Sequence, residues 1–346
     1  MSYKLNEQEM NKICSRWNED HLIFAPVRKK SFGRFSDTDE IIYDFVDNID
    51  QVVFDQKSDY SFKEAFLPLS ETLFFFTEDQ VKEADSRKQK AIVFLRSCDF
   101  HAIKRLDEIY LKNGFEDFFY KRLREGTKFI IMGCANTFDN CFCTHMDTNI
   151  SIGYDGGMEK IGGDYYFENN LDEWQPLLDE AHWESVDFVT SHVESSDVEL
   201  RIPETVSTSV FDSEIWDEYD YRCINCGRCN FACPTCTCFT MQDVFYTDND
   251  KVGERRRVGA SCMVDGFTDV AGGASYRKKN GQRMRFRTLH KFYDFKKRFG
   301  YHMCVGCGRC DDICPQYIAI THAINKVSDY MEGKTEDAKG GIDDAK

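Results

Sequence analysis

Apolar and polar residues alternate with two different periods along the first 200 residues, which predicts a mixture of helices and strands. Apolar positions recur at helical spacing from Glu7 to Trp17, so an amphipathic helix is expected there. Strand candidates follow at Gln51 to Phe54 and Thr72 to Phe76. The glycine-rich stretch from Ser151 to Phe167 predicts one or two hairpins. This texture is typical of an α/β domain.

Two continuous apolar runs, Lys90 to Ser97 and Lys128 to Gly133, each predict a buried strand. Cys98 follows the first run, and Asp99 is placed to cap a helix that continues to Ile109. A right-handed β-α-β crossover sets such strands parallel, with their C-terminal ends at one edge of the sheet. Residues that follow the two strands should therefore face the same crevice.

The pattern changes near residue 205, where helices and loops rich in cysteine replace the alternating segments. A stretch rich in Ser, Asp and Glu at 190–207 marks the expected boundary. We therefore predict an α/β domain over residues 1–200 and a mainly helical ferredoxin-type domain over 205–331. A disordered tail is expected over 332–346, because Glu, Asp, Lys and Gly dominate it.

Composition narrows the class of protein. The chain has 346 residues and 16 cysteines. It has no run of about 20 apolar residues that would span a membrane, and its N-terminus lacks a basic region followed by an apolar core. We therefore expect a cytoplasmic protein. Because the cytosol keeps thiols reduced, the cysteines indicate metal or redox work and not disulfides.

Charge is distributed unevenly along the chain. The net charge of -16 disfavours a nucleic-acid-binding protein, since phosphate binding relies on Lys and Arg. Residues 251–300, the basic insertion, hold 14 Lys and Arg against 4 Asp and Glu, a local charge of +10. Three interpretations are open: a solvated face, a collar of cations that raises the potentials of anionic clusters, or a docking surface for an acidic partner.

The strongest motif is a pair of cysteine runs with the spacing C-x2-C-x2-C-x3-C-P, the first ending at Pro234 and the second at Pro315. In bacterial ferredoxins three thiolates of such a run bind one 4Fe-4S cluster and the fourth binds the other cluster. Two 4Fe-4S clusters follow. The predicted ligands are Cys223, Cys226, Cys229 and Cys314 for the first cluster, and Cys304, Cys307, Cys310 and Cys233 for the second.

Zinc is the alternative at these runs, because C-x2-C pairs also bind zinc. Zinc needs only four ligands, and it explains neither the third cysteine of each run nor the proline. Small residues in the runs support the clusters as well. Gly227, Gly306 and Gly308 are expected to let backbone N–H groups approach the inorganic sulfurs.

Four further cysteines follow the two buried strands. Cys98 follows the first strand and Cys134 the second, and the next loop carries Cys141 and Cys143. If the strands are parallel, these four thiols meet at one edge of the sheet and can hold a third 4Fe-4S cluster. The spacing is not a standard motif, so a zinc site and inert buried thiols stay open as alternatives.

Several cysteines and histidines stay unassigned. Buried thiols without a ligand role and hydrogen-bonded core histidines are the expected roles of Cys14, Cys236, Cys238, Cys262, His101, His145, His290 and His302. A position near a cluster stays open as the alternative for three of these cysteines. The chain also lacks G-x-G-x-x-G after a strand and G-x-x-x-x-G-K-[ST], so no nucleotide site is evident. No acid–base pair or open metal site stands out, and we expect no catalytic residues on this chain.

Motifs in and around the cysteine runs give the chain a resemblance to a known family. It resembles the iron-sulfur, electron-transfer subunits of the anaerobic, NADH-dependent sulfite reductases, which are related to the ferredoxin-type β subunits of soluble sulfhydrogenases. The motifs are GRFSDTD at 33–39, ETLF at 71–74, RSCD at 96–99, NCFC at 140–143, CPTCTC at 233–238, GERRR at 253–257, ASCM at 260–263 and HMCVGCGRCDDICPQYI at 302–318.

The resemblance implies an electron-transfer subunit of a three-part enzyme. One partner subunit would bring FAD, a 2Fe-2S cluster and the NADH site, and the other would hold siroheme and reduce sulfite to sulfide. This chain lacks the C-x5-C pair of siroheme proteins, since Cys134 and Cys141 have six residues between them. It is therefore expected to relay electrons and not to bind sulfite.

Two other functions are considered. The chain can instead be the electron-transfer β subunit of a sulfhydrogenase, which would feed a nickel-iron site in place of siroheme. A zinc-stabilised interaction protein without redox work is the third interpretation. Partner subunits separate the first two functions, and a colourless, zinc-containing preparation would indicate the third.

Overall fold

The computed structural model describes residues 1–33, 37–85, 90–248 and 250–334. Part of the GRFSDTD motif and residues 335–346 of the predicted disordered tail therefore lie outside the described residues. Within the described ranges, the strands β1 to β14 form sheets of eight, four and two strands. In chain order they are Ser2–Leu5, His21–Lys29, Glu40–Val46, Ser70–Phe76, Val81–Glu83, Lys90–Leu95, Thr127–Met132, Gly156–Ile161, Asp164–Asn169, Glu184–Ser185, Phe239–Phe245, Gly253–Gly259, Asp269–Val270 and Ala274–Ser275.

The helices α1 to α10 are distributed over both halves of the chain. In order they are Glu7–Asp20, Ser97–Tyr110, Phe118–Arg124, Gln175–Asp179, Glu218–Arg222, Arg228–Ala232, Asn280–Leu289, Phe295–Phe299, Arg309–Asp312 and Ile320–Met331. A π-helical turn at His290–Asp294 joins α7 to α8. Short 3-10 turns occur at Ile49–Gln51, Phe62–Ala65, Cys143–Met146, Asp172–Trp174, Thr208–Asp212 and Glu214–Trp216. No helix of the described ranges is long and apolar enough to cross a membrane.

The eight-stranded sheet organises the N-terminal half. Its order is β10-β1-β9-β8-β7-β6-β2-β3, and the pairings β2 with β6, β6 with β7 and β7 with β8 are parallel. Neighbouring residues of a strand point to opposite faces, so Ile92 packs with Trp17 of α1 while Val93 packs with Leu106 of α2. Both strand residues are fully buried, as expected of an apolar run in a parallel sheet. The α/β class predicted for this half is confirmed.

Two of the local predictions are confirmed and one is wrong. The helix expected at Glu7 to Trp17 is α1, and the strand at Thr72 to Phe76 lies within β4. The segment from Gln51 to Phe54 does not form a strand. The Gln51 side chain accepts hydrogen bonds from the backbone N–H groups of Asp47 at 2.8 Å and Asn48 at 3.2 Å, which stabilises a 3-10 turn over Ile49–Gln51. After this turn, Val52 forms only an isolated bridge with Val27.

The glycine-rich stretch forms a single hairpin, and the helix after β6 begins earlier than expected. Gly162 and Gly163 turn the chain between β8 and β9 with φ angles of 60° and 96°, a region that favours glycine. Helix α2 begins at Ser97, so the prediction that Asp99 caps it is wrong. Asp99 instead lies in the first turn and is completely buried.

The four-stranded sheet joins the two halves of the chain. Its order is β11-β12-β4-β5. Strand β12 of the basic insertion and strand β11, which precedes the insertion, therefore extend the hairpin formed by β4 and β5 in the N-terminal half. In β12, Arg255 is the register partner of Phe74 in β4. This sheet draws strands from both sides of residue 200. The domain boundary predicted there stays a prediction.

The C-terminal half was predicted to be mainly helical, and the structure bears this out only in part. Besides helices, this half contributes strands β11 to β14. Short helices α6 and α9 pack against each other, and each begins after a glycine with positive φ, Gly227 at 72° and Gly308 at 71°. Helix α10 packs its apolar side, including Ile324 and Val327, into the hydrophobic core of the C-terminal half, which also contains Cys310. This core holds the cysteine runs in place.

Candidate metal centres

Cysteines from both ferredoxin runs meet at the first candidate site. Cys223, Cys226, Cys229 and Cys314 line one cavity. Cys223 directly follows α5, and Gly227 then turns the chain into α6. Cys314 comes from the loop after α9. The structure thus brings together the crossed set of thiols proposed for the first cluster.

The second candidate site is more deeply buried. Cys233, Cys307 and Cys310 are all less than a tenth exposed. Burial raises the pKa of Cys304 to about 11 and that of Cys307 to about 12, and nearby Cys233 acts in the same direction on both. Cys233 also acts to raise the pKa of Cys310, so it lies near all three cysteines of the second run. The free thiols of Cys304, Cys307 and Cys310 therefore stay protonated, and a metal must displace those protons when it binds. Cys233 differs, because a hydrogen bond from Cys236 lowers its pKa.

The third candidate site lies at the sheet edge expected from the β-α-β argument. Strands β6 and β7 are parallel, and the segments that follow them face one cavity. All four cysteines of the proposed third set, Cys98, Cys134, Cys141 and Cys143, line this cavity. The ligand role of these thiols stays a proposal.

The third site touches the second through two loops. The Cys141 thiol donates to the Cys307 carbonyl at 3.4 Å, and the Phe142 N–H donates to the Gly306 carbonyl at 2.8 Å. A Cβ atom on Gly306 would come 2.5 Å from the Phe142 carbonyl oxygen, so only glycine fits. The observed reason for glycine at this position is loop packing. The predicted approach of backbone N–H groups to inorganic sulfur stays a prediction.

The spacing of the thiols bears on the zinc alternative. A zinc ion holds its sulfur ligands at about 2.3 Å, which brings four thiolates close together. Across residues 1–33, 37–85, 90–248 and 250–334, no three Cys, His, Asp or Glu side chains converge closely enough to hold one ion. The thiols of the first and third sets line cavities instead.

Arg287 of the basic insertion lies between the first two sites. It lines the cavity of the first site and is 3% exposed. Its Nε and Nη2 atoms have no hydrogen-bond partner within the part of the chain that is described. Burial lowers the pKa of Arg287, but Cys229 of the first site and Cys310 of the second outweigh it, and the pKa is raised. With these two donors free, Arg287 is placed to balance the negative charge of bound clusters.

Lys291 is the second buried cation of the insertion. Its Nζ donates to the Thr235 hydroxyl at 3.0 Å, and the side chain is 2% exposed. Burial lowers the pKa of Lys291, but nearby Cys233 and Cys236 outweigh it and raise the pKa. Together with Arg287, this residue supports the collar interpretation of the basic insertion.

The arginines of the GERRR motif are paired within the chain. Arg255 contacts Asp243 at 2.7 Å, and the nearly buried Arg257 contacts Glu71 at 2.8 Å. Paired cations are poorly placed to attract an acidic partner. The docking interpretation therefore finds no support at these positions.

The unassigned cysteines fall into two groups. Cys14 lies in the core beside α1, where burial raises its pKa to about 12. Cys236, Cys238 and Cys262 lie close to one another, and Cys236 is hydrogen bonded to Cys233. Sequence reasoning missed this group. The signal lay in the antiparallel pairing of β11 with β12, since one cysteine precedes the first strand and another follows the second.

The histidines near the cysteines make ordinary contacts. A ring nitrogen of His101 is 2.7 Å from the Ile150 carbonyl, and one of His302 is 2.9 Å from the Phe292 carbonyl. The ring of His290 stacks on an aromatic neighbour. These contacts agree with the expected role as hydrogen-bonded or packed residues.

Comparison with known proteins bears on the cofactor. Residues 222–318 match the family model described as a 4Fe-4S dicluster domain. The chain carries two 4Fe-4S clusters. Subunit beta of sulfhydrogenase 2 from Pyrococcus furiosus is 27% identical over 343 residues, which cover 95% of this chain and 98% of that protein. No solved structure matches the chain.

These matches support an iron-sulfur electron-transfer subunit of an oxidoreductase complex. The dicluster model covers both ferredoxin runs, while the similarity to the sulfhydrogenase subunit extends over the N-terminal half as well. Neither comparison bears on the resemblance to the sulfite reductase family, which stays a hypothesis.

Proposed function

We propose that this chain is the electron-transfer subunit of a multi-subunit oxidoreductase of the sulfhydrogenase type. The observation that carries the proposal is the similarity to subunit beta of sulfhydrogenase 2 over 95% of the chain. The three thiol sets form a series that suits electron transfer. The first set lies beside the second where α6 packs on α9, and the second meets the third at the contact between Cys307 and Cys141.

At each site, cysteines of this chain would bind the cluster and neighbouring residues would set its surroundings. Cys223, Cys226, Cys229 and Cys314 would hold one cluster, Cys304, Cys307, Cys310 and Cys233 the second, and Cys98, Cys134, Cys141 and Cys143 a third. A bound 4Fe-4S cluster supplies one-electron transfer. Burial of Cys233, Cys307 and Cys310 limits the access of water to the second set. Arg287 and Lys291 would balance the negative charge of the thiolates.

The two ends of the series differ in exposure. Cys226 of the first set is exposed, whereas Cys141 and Cys143 of the third set are buried. The third cavity is also lined by Asn136, Thr137 and Phe138 of the loop after β7. We propose that one partner subunit docks over Cys226 and another over this loop, so that electrons enter at one end and leave at the other.

An NADH-dependent sulfite reductase is the second candidate. It is favoured by the RSCD and NCFC motifs, whose cysteines line the third cavity. In that case the partners would be a subunit with FAD, a 2Fe-2S cluster and the NADH site, and a siroheme subunit. The same relay serves both complexes, so the partners alone distinguish them.

Anaerobic purification of the native complex tests the proposal. Iron, sulfide, nickel, flavin and siroheme are measured on the material that co-purifies with this chain. Nickel together with hydrogen-dependent reduction of the clusters supports the sulfhydrogenase type, and siroheme with sulfite-dependent oxidation supports the second candidate. A colourless zinc protein without iron would overturn both.

A further inference from the structure

Two cysteines outside the three thiol sets meet at the end of the β11 and β12 pair. Cys238 precedes β11, and Cys262 follows β12 by three residues. The Ala260 N–H donates to the Cys238 carbonyl at 2.9 Å, so the antiparallel pairing extends one residue beyond the strands. The chain then turns, and the Cys262 thiol forms a hydrogen bond with the Cys238 thiol.

Cys238 faces a surface pocket whose lining does not include Cys262. This shallow surface pocket, the cavity of this pair, is lined by Cys238, together with Cys236, Lys63 and Arg257. Cys262 is not part of the lining and is 5% exposed. A molecule in the cavity therefore meets Cys238 first, with Cys262 behind it.

The electrostatics of the pair are asymmetric. The hydrogen bond with Cys262 lowers the pKa of Cys238 to about 6, and Lys291 and Lys63 act in the same direction against burial. Cys238 is therefore the thiolate of the pair at neutral pH. The Asn230 side-chain amide donates to the Cys262 sulfur at 3.0 Å and can stabilise charge there after Cys238 has reacted.

We propose that Cys238 and Cys262 form a redox-active dithiol that reacts with low-molecular-weight disulfides in this cavity. The Cys238 thiolate attacks one sulfur of the disulfide, a mixed disulfide forms, and the first small thiolate leaves and takes up a proton. Cys262 loses its proton and attacks the Cys238 sulfur, which releases the second small thiol. The protein pair is oxidised by two electrons and the small disulfide is reduced by the same two.

The pair is distinct from the cluster ligands and does not depend on the proposed relay. Neither thiol belongs to the three sets. The pair is nevertheless close to them, since Lys291 acts on both Cys238 and Cys233. Oxidation of the pair removes one negative charge from beside this lysine, which links the redox state of the pair to the surroundings of the second site.

Disulfide mapping on the full-length holoprotein tests the proposal. The reduced protein is incubated anaerobically with oxidised glutathione, alkylated and digested, and its peptides are identified by mass spectrometry. A link between Cys238 and Cys262 is expected in the wild type. In Cys262→Ser the mixed disulfide cannot resolve, so Cys238 should retain one glutathione. Cys14→Ser, which removes a cysteine buried elsewhere, should behave as the wild type.

Iron and sulfide contents are followed in parallel, so that loss of clusters is not mistaken for reaction of the pair. The proposal is overturned if the wild type shows no link between Cys238 and Cys262 while its iron content is unchanged. It is also overturned if glutathione attaches to Cys236 in the Cys262→Ser protein, or if Cys238→Ala still forms a disulfide at Cys262. The wild-type mapping requires no variant to fold.

Discussion

Arg309 donates two hydrogen bonds to the carboxylate of Asp99, at 2.6 Å and 2.8 Å, and both side chains are almost completely buried. The same guanidinium donates to the Ser58 carbonyl at 3.0 Å. This bidentate pair connects α9 of the ferredoxin region to the first turn of α2. It lies between Cys98, which precedes Asp99, and Cys307 of the second run, and thus fixes the second and third thiol sets relative to each other.

We predict that Arg309→Met strongly destabilises the protein, because the Asp99 carboxylate is left buried and unpaired. Loss of one partner of a buried ion pair typically costs about 3 to 5 kcal/mol. The free energy of unfolding, measured anaerobically by denaturant titration, should fall accordingly. Iron bound at the second and third sites should also decrease.

A double variant serves as the control for this prediction. Arg309→Met combined with Asp99→Asn removes the isolated charge, so it should be more stable than Arg309→Met alone. Arg16→Gln breaks an exposed pair with Glu19 and should change stability little. Equal stability of Arg309→Met and Arg16→Gln would contradict the proposed role of the Arg309–Asp99 pair in holding α9 against α2.

We predict that Cys226→Ser removes one cluster from the chain. Cys226 lines the first cavity and is exposed, so its replacement should leave the core intact. Iron and acid-labile sulfide should each fall by about four per chain. Electrons should no longer pass through this chain from one partner subunit to the other. The partner that takes up electrons from the external donor should still be reduced. Unchanged iron content and unchanged relay would contradict the first ligand set.

Some of this architecture followed from local sequence pattern. The runs before Cys98 and Cys134 are continuous and apolar, which predicts buried parallel strands, and chirality then places their C-terminal ends together. The convergence of the third set needed no further information. The crossed ferredoxin sets followed similarly from spacing alone.

Other features depend on contacts between distant segments, which a single sequence does not encode locally. Arg257 pairs with Glu71, 186 residues away, because β12 lies beside β4. The sequence alone gives no indication of this partner for an arginine of the GERRR motif. Asp99 resembled a helix cap because Arg309 lies far along the chain. Gln51 stabilises a turn through its side chain, which strand propensity does not reveal.

We predict that replacing both Cys141 and Cys143 by Ala removes a third cluster. Both thiols line the third cavity, so two of its four proposed ligands would be lost. Iron should fall from about twelve to about eight per chain, at about four per cluster. The full-length chain is the right material, because Cys307 and Arg309 of the ferredoxin region also line this cavity. About eight irons in the unmodified chain and no loss in the variant would show that these thiols hold no cluster.

Arg287 is predicted to set the potentials of the first two clusters. Its buried guanidinium acts on Cys229 of the first site and Cys310 of the second, and two of its nitrogens lack protein partners in the described ranges. A cation near a cluster favours the extra electron of the reduced state. Arg287→Gln removes that charge, so both potentials should fall, by on the order of tens of millivolts each.

Potentiometric titration followed by electron paramagnetic resonance measures this change on intact protein. Arg285→Gln, on the same helix, is the matched control, because that side chain faces Phe211 and Asp212 and should leave the potentials unchanged. Arg287→Lys retains the charge and should restore most of the shift, which a purely structural role of the planar guanidinium would not allow. If Arg287→Gln retains wild-type potentials and iron content, the charge of this residue does not tune the clusters, and the collar interpretation would rest on Lys291 alone.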